Sequence, residues 1–215
     1  MVSLPVQAIV FDMDGTLVDS TAVVEQVWGE FAARHGVDLL ELFAFSHGRQ
    51  AIDTVRQFLP DLDDAARWQI SDQLQADELL RLDGIIEIPG ATAFVNAIPA
   101  SRIALVTSAP RELALRRMAA AGMEFPLVTI TSEDVSAGKP NPEGYLSAAE
   151  QLGVDPSEIV VFEDAPAGIA AARASGATVV VVGPGVGGDY RVDDYRALTV
   201  TADDAGLTIS GLTAP

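Results

Sequence analysis

The run Phe11-Asp12-Met13-Asp14-Gly15-Thr16 sets two carboxylates two positions apart, just where a short apolar stretch ends. If a strand extends that far, its period of two turns both side chains to the same side. Hard oxygen donors suit a cation such as Mg2+, and mutual repulsion separates the pKa values of neighbouring carboxyls, so one can stay ionised while the other holds a proton. The pair therefore offers a nucleophile and an acid. Asp, Gly and Thr are also ordinary turn residues, and the same run can simply cap a helix near Thr16 or Asp19-Ser20.

Three further places add chemistry. Thr107-Ser108 follows another apolar run, where a hydroxyl and the backbone N–H groups beyond it can receive phosphoryl oxygens, or where Thr107 can merely end a strand or cap a helix before Pro110. Lys139 is the only lysine, and the other twelve basic residues are all Arg. Its retention suggests a compact point charge where a planar guanidinium would not fit, and Pro140 behind it favours a loop at the edge of the sheet. Glu163-Asp164 ends a fourth apolar run and supplies more hard oxygens, although Asp there could be a helix cap.

The elements that must position these residues are legible. Residues 8–11, 103–106, 127–130, 159–162 and 178–182 are short and almost continuously apolar, as parallel strands buried on both faces are. Asn141-Pro142 predicts a helix start and Gly153 its end, and Gly176 closes a helix over 167–175. The chain thus reads as α/β, a doubly wound, mostly parallel sheet. Residues 18–88 break the rhythm with helical patterning and no strand. Val24, Val27, Trp28, Phe31 and His35 stripe one helix, Ala51 to Leu59 mark a second, and 62–82 a third with Ile70, Leu74 and Leu79 inward. The domains expected are an α/β core over 1–17 and 89–215 and an inserted helical cap over 18–88. In the Gly- and Asp-rich stretch 183–215, one apolar run at 198–200 predicts a last edge strand.

Composition narrows the function. With 215 residues, 49% hydrophobic and 20% charged, the chain can bury a sizeable core. Without cysteine it has no disulfide framework, thiolate metal site or cysteine nucleophile. A net charge of -18 repels nucleic acid and anionic lipid, and no apolar run approaches the roughly 18 residues of a spanning helix. Met1 to Val10 has no positive charge ahead of its apolar residues, so a cytoplasmic location is expected, with no nucleic-acid, membrane or obligate protein partner evident. The same charge repels a phosphorylated metabolite unless a metal ion and a few placed cations hold it.

Taken in order, Asp12-Met-Asp-Gly-Thr16, Thr107, Lys139-Pro140 and Glu163-Asp164 resemble the four motifs of the haloacid dehalogenase superfamily of phosphotransferases, over nearly the whole chain. The helical insertion looks like that superfamily's small α-helical cap. His47-Gly48-Arg49, Gly138-Lys-Pro-Asn-Pro142 and Val161-Phe-Glu-Asp-Ala-Pro-Ala-Gly168 look like the branch of glycerol-phosphate, 2-deoxyglucose-6-phosphate and sugar phosphatases. The resemblance implies hydrolysis of small sugar or polyol phosphate monoesters through an aspartyl-phosphate. It makes Asp12 the nucleophile and Asp14 the acid and base, with Thr107, Ser108 and Lys139 binding the phosphoryl group. It assigns Mg2+ to Asp12, the Asp14 backbone carbonyl and Asp164, with Glu163 in or near the shell. Arg49, His47 and Gly48 are the cap's substrate candidates, Gly48 by close backbone approach. Asp14 argues against a dehalogenase, and a cap without lysine against a Schiff-base phosphonatase. A phosphomutase of the β-phosphoglucomutase type remains an alternative, as does a phospho-accepting receiver module, which would lack the 70-residue insertion.

Overall fold

The computed structural model describes residues 2–214; Met1 and Pro215 lie outside the described residues. In chain order the strands are β1 (Val2–Val6), β2 (Ala8–Phe11), β3 (Val18–Asp19), β4 (Ile86–Glu87), β5 (Ile103–Val106), β6 (Val128–Ile130), β7 (Ile159–Glu163), β8 (Thr178–Val182), β9 (Tyr190–Val192), β10 (Thr199–Asp203) and β11 (Gly206–Leu212). Helices α1 (Thr21–His35), α2 (Leu39–Ser46), α3 (Ala51–Phe58) and α4 (Asp64–Leu79) lie between β3 and β4, and α5 (Ala91–Asn96), α6 (Arg111–Ala120), α7 (Glu143–Leu152) and α8 (Pro166–Ser175) between the later strands.

Six strands form one parallel sheet in the order β6-β5-β2-β7-β8-β9. Every residue of β2, β5 and β7 is buried, which explains why these runs are apolar without alternation. On one face, Tyr145 and Ala148 of α7 and Ile169 and Ala172 of α8 pack on Val10 and Val161. On the other, Phe94 of α5 and Leu113 and Met118 of α6 pack on Phe11, Leu105 and Phe162. Helices cover both faces, so the doubly wound reading holds. Phe11 stacks on Phe162 with ring centroids 5.1 Å apart, and Tyr195 and Phe94 close the cluster. Burying each such ring contributes roughly 1.5–3 kcal/mol.

Several elements differ from expectation. The segment between β3 and β4 holds four helices, not three, around Val27, Trp28, Phe31, Leu42, Val55 and Leu74. The unforeseen one is α2. Its sequence is apolar almost all round and shows no stripe, but Asp38 caps it by accepting from the N–H groups of Leu40 and Glu41. The segment is not free of strands either, because β3 and β4 pair antiparallel at its two ends. The helix expected to open at Asn141-Pro142 begins at Glu143, and Asn141 serves by accepting from the Glu143 N–H. The run at 198–200 does lead into an edge strand, β10, but not the last one: β10 pairs with β11, and β11 with β1, in a separate antiparallel sheet. Among the described residues, no helix is long and apolar enough to cross a membrane.

Candidate active site

β2 lies between β5 and β7, so the loops leaving the carboxyl ends of all three emerge side by side, where open α/β sheets place their ligands. The ladder runs one residue past β2, since the Asp12 N–H donates to Phe162 O at 3.0 Å. Beyond it the strand pattern stops. Thr16, Leu17 and Val18 all donate to Met13 O, and Gly15 adopts φ 80°. Asp14 is thus aimed by a turn, not by a strand's alternation as the sequence suggested. A side chain at 15 is excluded twice, by that φ and by the Asp164 carboxylate, which its Cβ would overlap.

Lys139 sits in the loop after β6, an edge strand, but its ammonium is far from the edge. Nζ donates to Asp12 Oδ1 at 2.5 Å, Glu163 Oε1 at 2.7 Å and Val106 O at 3.2 Å, and the residue is buried. Glu163 is fully engaged: Oε1 also accepts from the Tyr145 hydroxyl, and Oε2 from the N–H groups of Asp164 and Ala165. Gly168 makes room for this carboxylate, because a Cβ there would overlap it. Asp164 Oδ1 accepts from the Thr16 hydroxyl. Single ligand oxygens of Asp12, Glu163 and Asp164 lie within 4.8 Å of one another.

When all are ionised, the buried carboxylates of Asp12 and Glu163 and the half-buried one of Asp164 outnumber the single ammonium by two charges. Burial pushes the Asp12 carboxyl well above the usual range despite Lys139 beside it, and burial reinforced by Glu163 pushes Asp164 up to about 7. Burial opposes the Lys139 ammonium, yet Asp12 and Glu163 outweigh it and hold the lysine charged. A divalent cation would close this deficit, and among the described residues Asp12 and Asp164 each keep one oxygen free of hydrogen-bond donors, whereas Glu163 does not. The acidic cluster fits a metal ion, with Glu163 better suited to orienting its neighbours than to direct ligation.

A cavity of about 180 Å³ opens above this rim, lined by Asp12, Asp14, Asp164, Thr107, Ser108 and, from the helical segment, His47, Gly48 and Arg49. Thr107 Oγ1 accepts from the Ala109 N–H, and the Ser108 hydroxyl donates to Gly48 O at 2.9 Å. Gly48, at φ 75°, approaches the sheet-bearing part of the chain, where an added Cβ would lie 2.8 Å from Ala165 Cβ. Arg49 lies over the Phe45 ring and His47 stacks on Phe43. All ten residues singled out from the sequence therefore belong to this rim, the cavity wall or the bonds joining them.

The sequence reading missed Arg117, Glu78 and Gln75, which also line the cavity. Arg117 Nη1 donates to Asp14 Oδ2 at 2.8 Å, and Glu78 Oε2 stands 3.3 Å from Arg117 Nη2. A signal existed: each charge lies one helical turn from a buried leucine, Leu113 or Leu74, on an inward stripe.

The model of a haloacid dehalogenase-like hydrolase matches residues 6–176. The chain belongs to that hydrolase family. Among curated relatives, hexitol phosphatase A of Escherichia coli (strain K12) is 42% identical over 177 residues, covering 80% of this chain and 81% of the relative. Glycerol-1-phosphate phosphohydrolase 2 of Saccharomyces cerevisiae is 36% identical over 190 residues, covering 83% and 75%. The crystal structure of β-phosphoglucomutase from Clostridium difficile superposes with a TM-score of 0.75 at 20% identity over 88% of this chain and 91% of that one, a likeness of fold. For a hydrolase of this family, the rim supplies a carboxylate, a buried ammonium and a metal-ready acid cluster within a few ångströms.

Proposed function

We propose that this protein is a phosphatase that hydrolyses small sugar or polyol phosphate monoesters with Mg2+ bound at Asp12 and Asp164. The relatives named for hexitol and glycerol phosphates support the substrate class, and a cavity of about 180 Å³ fits a molecule of that size. The observation that carries the reading is the bond from Lys139 to Asp12 and Glu163 together. It fixes a buried carboxylate beside a cation, as a phosphoryl acceptor needs.

Asp12 attacks phosphorus in line through one carboxylate oxygen, forming an aspartyl-phosphate and breaking the ester P–O bond, while its other oxygen stays available to the metal. Asp14 gives a proton to the departing alkoxide, then takes one from the water that hydrolyses the intermediate. The Thr107 hydroxyl and the Ser108 N–H receive the phosphoryl oxygens, and Lys139 and the Ser108 hydroxyl join them by giving up a present partner, Val106 O and Gly48 O respectively. Asp12, Asp164 and the Asp14 backbone carbonyl would hold the metal, which would supply positive charge to offset the negative charge on the equatorial oxygens. Residues 18–88 act as a cap over a core of 1–17 and 89–215. Arg49, His47 and the close approach of Gly48 shape the substrate end.

Asp12→Asn removes the nucleophile while nearly keeping its shape. Phosphate release from glycerol 1-phosphate should fall by about 10⁴-fold or more. Turnover near the parent rate would sink the assignment.

A further inference from the structure

Arg117 is an unusual occupant of its position. It lies on the inward face of α6 beside Leu113, Ala114 and Met118, and only 3% of it is exposed. An apolar residue would continue that stripe without the several kcal/mol that burying a guanidinium costs. The cation is also incompletely satisfied. Nη1 donates to Asp14 Oδ2, Nη2 faces Glu78 Oε2 off the line of a good hydrogen bond, and Nε has no partner among the described residues. It faces the same cavity as Asp14 and Glu78.

Its partners make sense of it. Asp14 receives a donor on each oxygen, the Ser20 hydroxyl on Oδ1 at 2.6 Å and Arg117 on Oδ2 at 2.8 Å, so the plane of the carboxyl group is fixed from two sides. One lone pair on each oxygen is left for the substrate. Glu78 comes from α4, in the helical segment, and is itself buried. The guanidinium therefore has two anchors, one in each part of the chain, and is held only when α4 rests against α6.

We propose that Arg117 is a positioning residue that orients the Asp14 carboxyl group toward the leaving oxygen, and that Glu78 anchors it from the helical segment. The inference rests on the reading of Asp14 as the group that protonates the leaving group.

Leaving-group dependence tests it. An alkoxide must be protonated as it departs, whereas p-nitrophenolate leaves without a proton, and kcat/KM reports the steps up to and including ester cleavage. In Arg117→Met, kcat/KM for glycerol 1-phosphate should fall about 100-fold, the low end of general acid catalysis, and for p-nitrophenyl phosphate at least about tenfold less. Arg117→Lys should recover at least about tenfold of that loss. Glu78→Gln should show the same selectivity in smaller measure, and the Glu78→Gln/Arg117→Met pair should be no worse than Arg117→Met alone. Equal losses on both esters, or no loss, would overturn the proposal. Should Arg117→Met fail to fold, Arg117→Lys and Glu78→Gln read the same ratio. Asp14→Asn separates the two ideas. If it is selective and the Arg117 variants are not, only the role of Arg117 falls; if it is not selective, the role of Asp14 falls as well.

Discussion

The two walls of the cavity are built differently. On the strand-end rim, Lys139, Asp12, Glu163 and Asp164 are knit by seven hydrogen bonds to one another, to Val106, Tyr145, Thr16 and the backbone after β7. On the facing wall, Arg49 and His47 only lie against aromatic rings of their own segment, and the wall is tied across by few bonds, such as Ser108 to Gly48 and Gln50 to Ser132. A dense buried network tolerates one geometry, because each unpaired member costs desolvation without return. A wall of stacked side chains can change its residues and stay folded. On the function proposed, the rim would serve one reaction and the facing wall the choice of substrate.

Lys139→Arg should break the contrast most sharply if it is wrong. The ammonium makes three contacts between 2.5 and 3.2 Å and sits 5.2 Å from the Tyr145 ring, leaving no room for a planar fork. We expect kcat/KM for glycerol 1-phosphate to drop by about 10³-fold, with a lower melting temperature. Parent-like kinetics would mean that the rim is as permissive as the wall opposite.

The same contrast decides what the sequence reveals. Buried parallel strands and short polar runs at their ends are local patterns, so the rim and its residues are legible from the amino-acid sequence alone. Lys139 stands out because no other lysine exists to blur it. Asp14 is legible but its aim is not, since a strand's alternation does not survive a turn at Gly15. Arg117 and Glu78 are lost because each reads locally as one charge on a helix, and their meeting depends on how α4 docks on α6. α2 escapes for another reason: a segment apolar on most sides has no periodicity to detect.

A smaller effect follows from the acid cluster. Without a divalent cation the folded protein keeps a proton on Asp164 up to about pH 7, whereas the carboxyl's ordinary value is 3.8. Between these values the folded state binds more protons than the unfolded one. This group's contribution is therefore complete below pH 3.8 and is lost as pH rises to about 7. Mg2+ needs the ionised form, so it must displace that proton at low pH and not at high pH. Saturating Mg2+ should raise the melting temperature by about 5 °C or more at pH 8 and by clearly less at pH 5, with chelator as the reference. An equal shift at both pH values would place the cation away from the rim.

The least damaging change belongs to the other wall. Arg49 has no side-chain hydrogen bond among the described residues and rests 4.3 Å over the Phe45 ring, so its removal strands no buried partner. A cation–π contact of this kind is worth about 0.5–1 kcal/mol, too little to unfold the segment. Its guanidinium faces the cavity, where it can meet the substrate's hydroxyl or phosphoryl oxygens in both ground and transition states. Interactions shared by the two states lower KM without raising kcat. Arg49→Ala should therefore raise KM by about tenfold, leave kcat within about threefold, and narrow the differences among glycerol, hexitol and hexose phosphates measured side by side. A fall in kcat with KM unchanged would instead put Arg49 among the groups that act on the reacting phosphorus, and the division between the two walls would have to be redrawn.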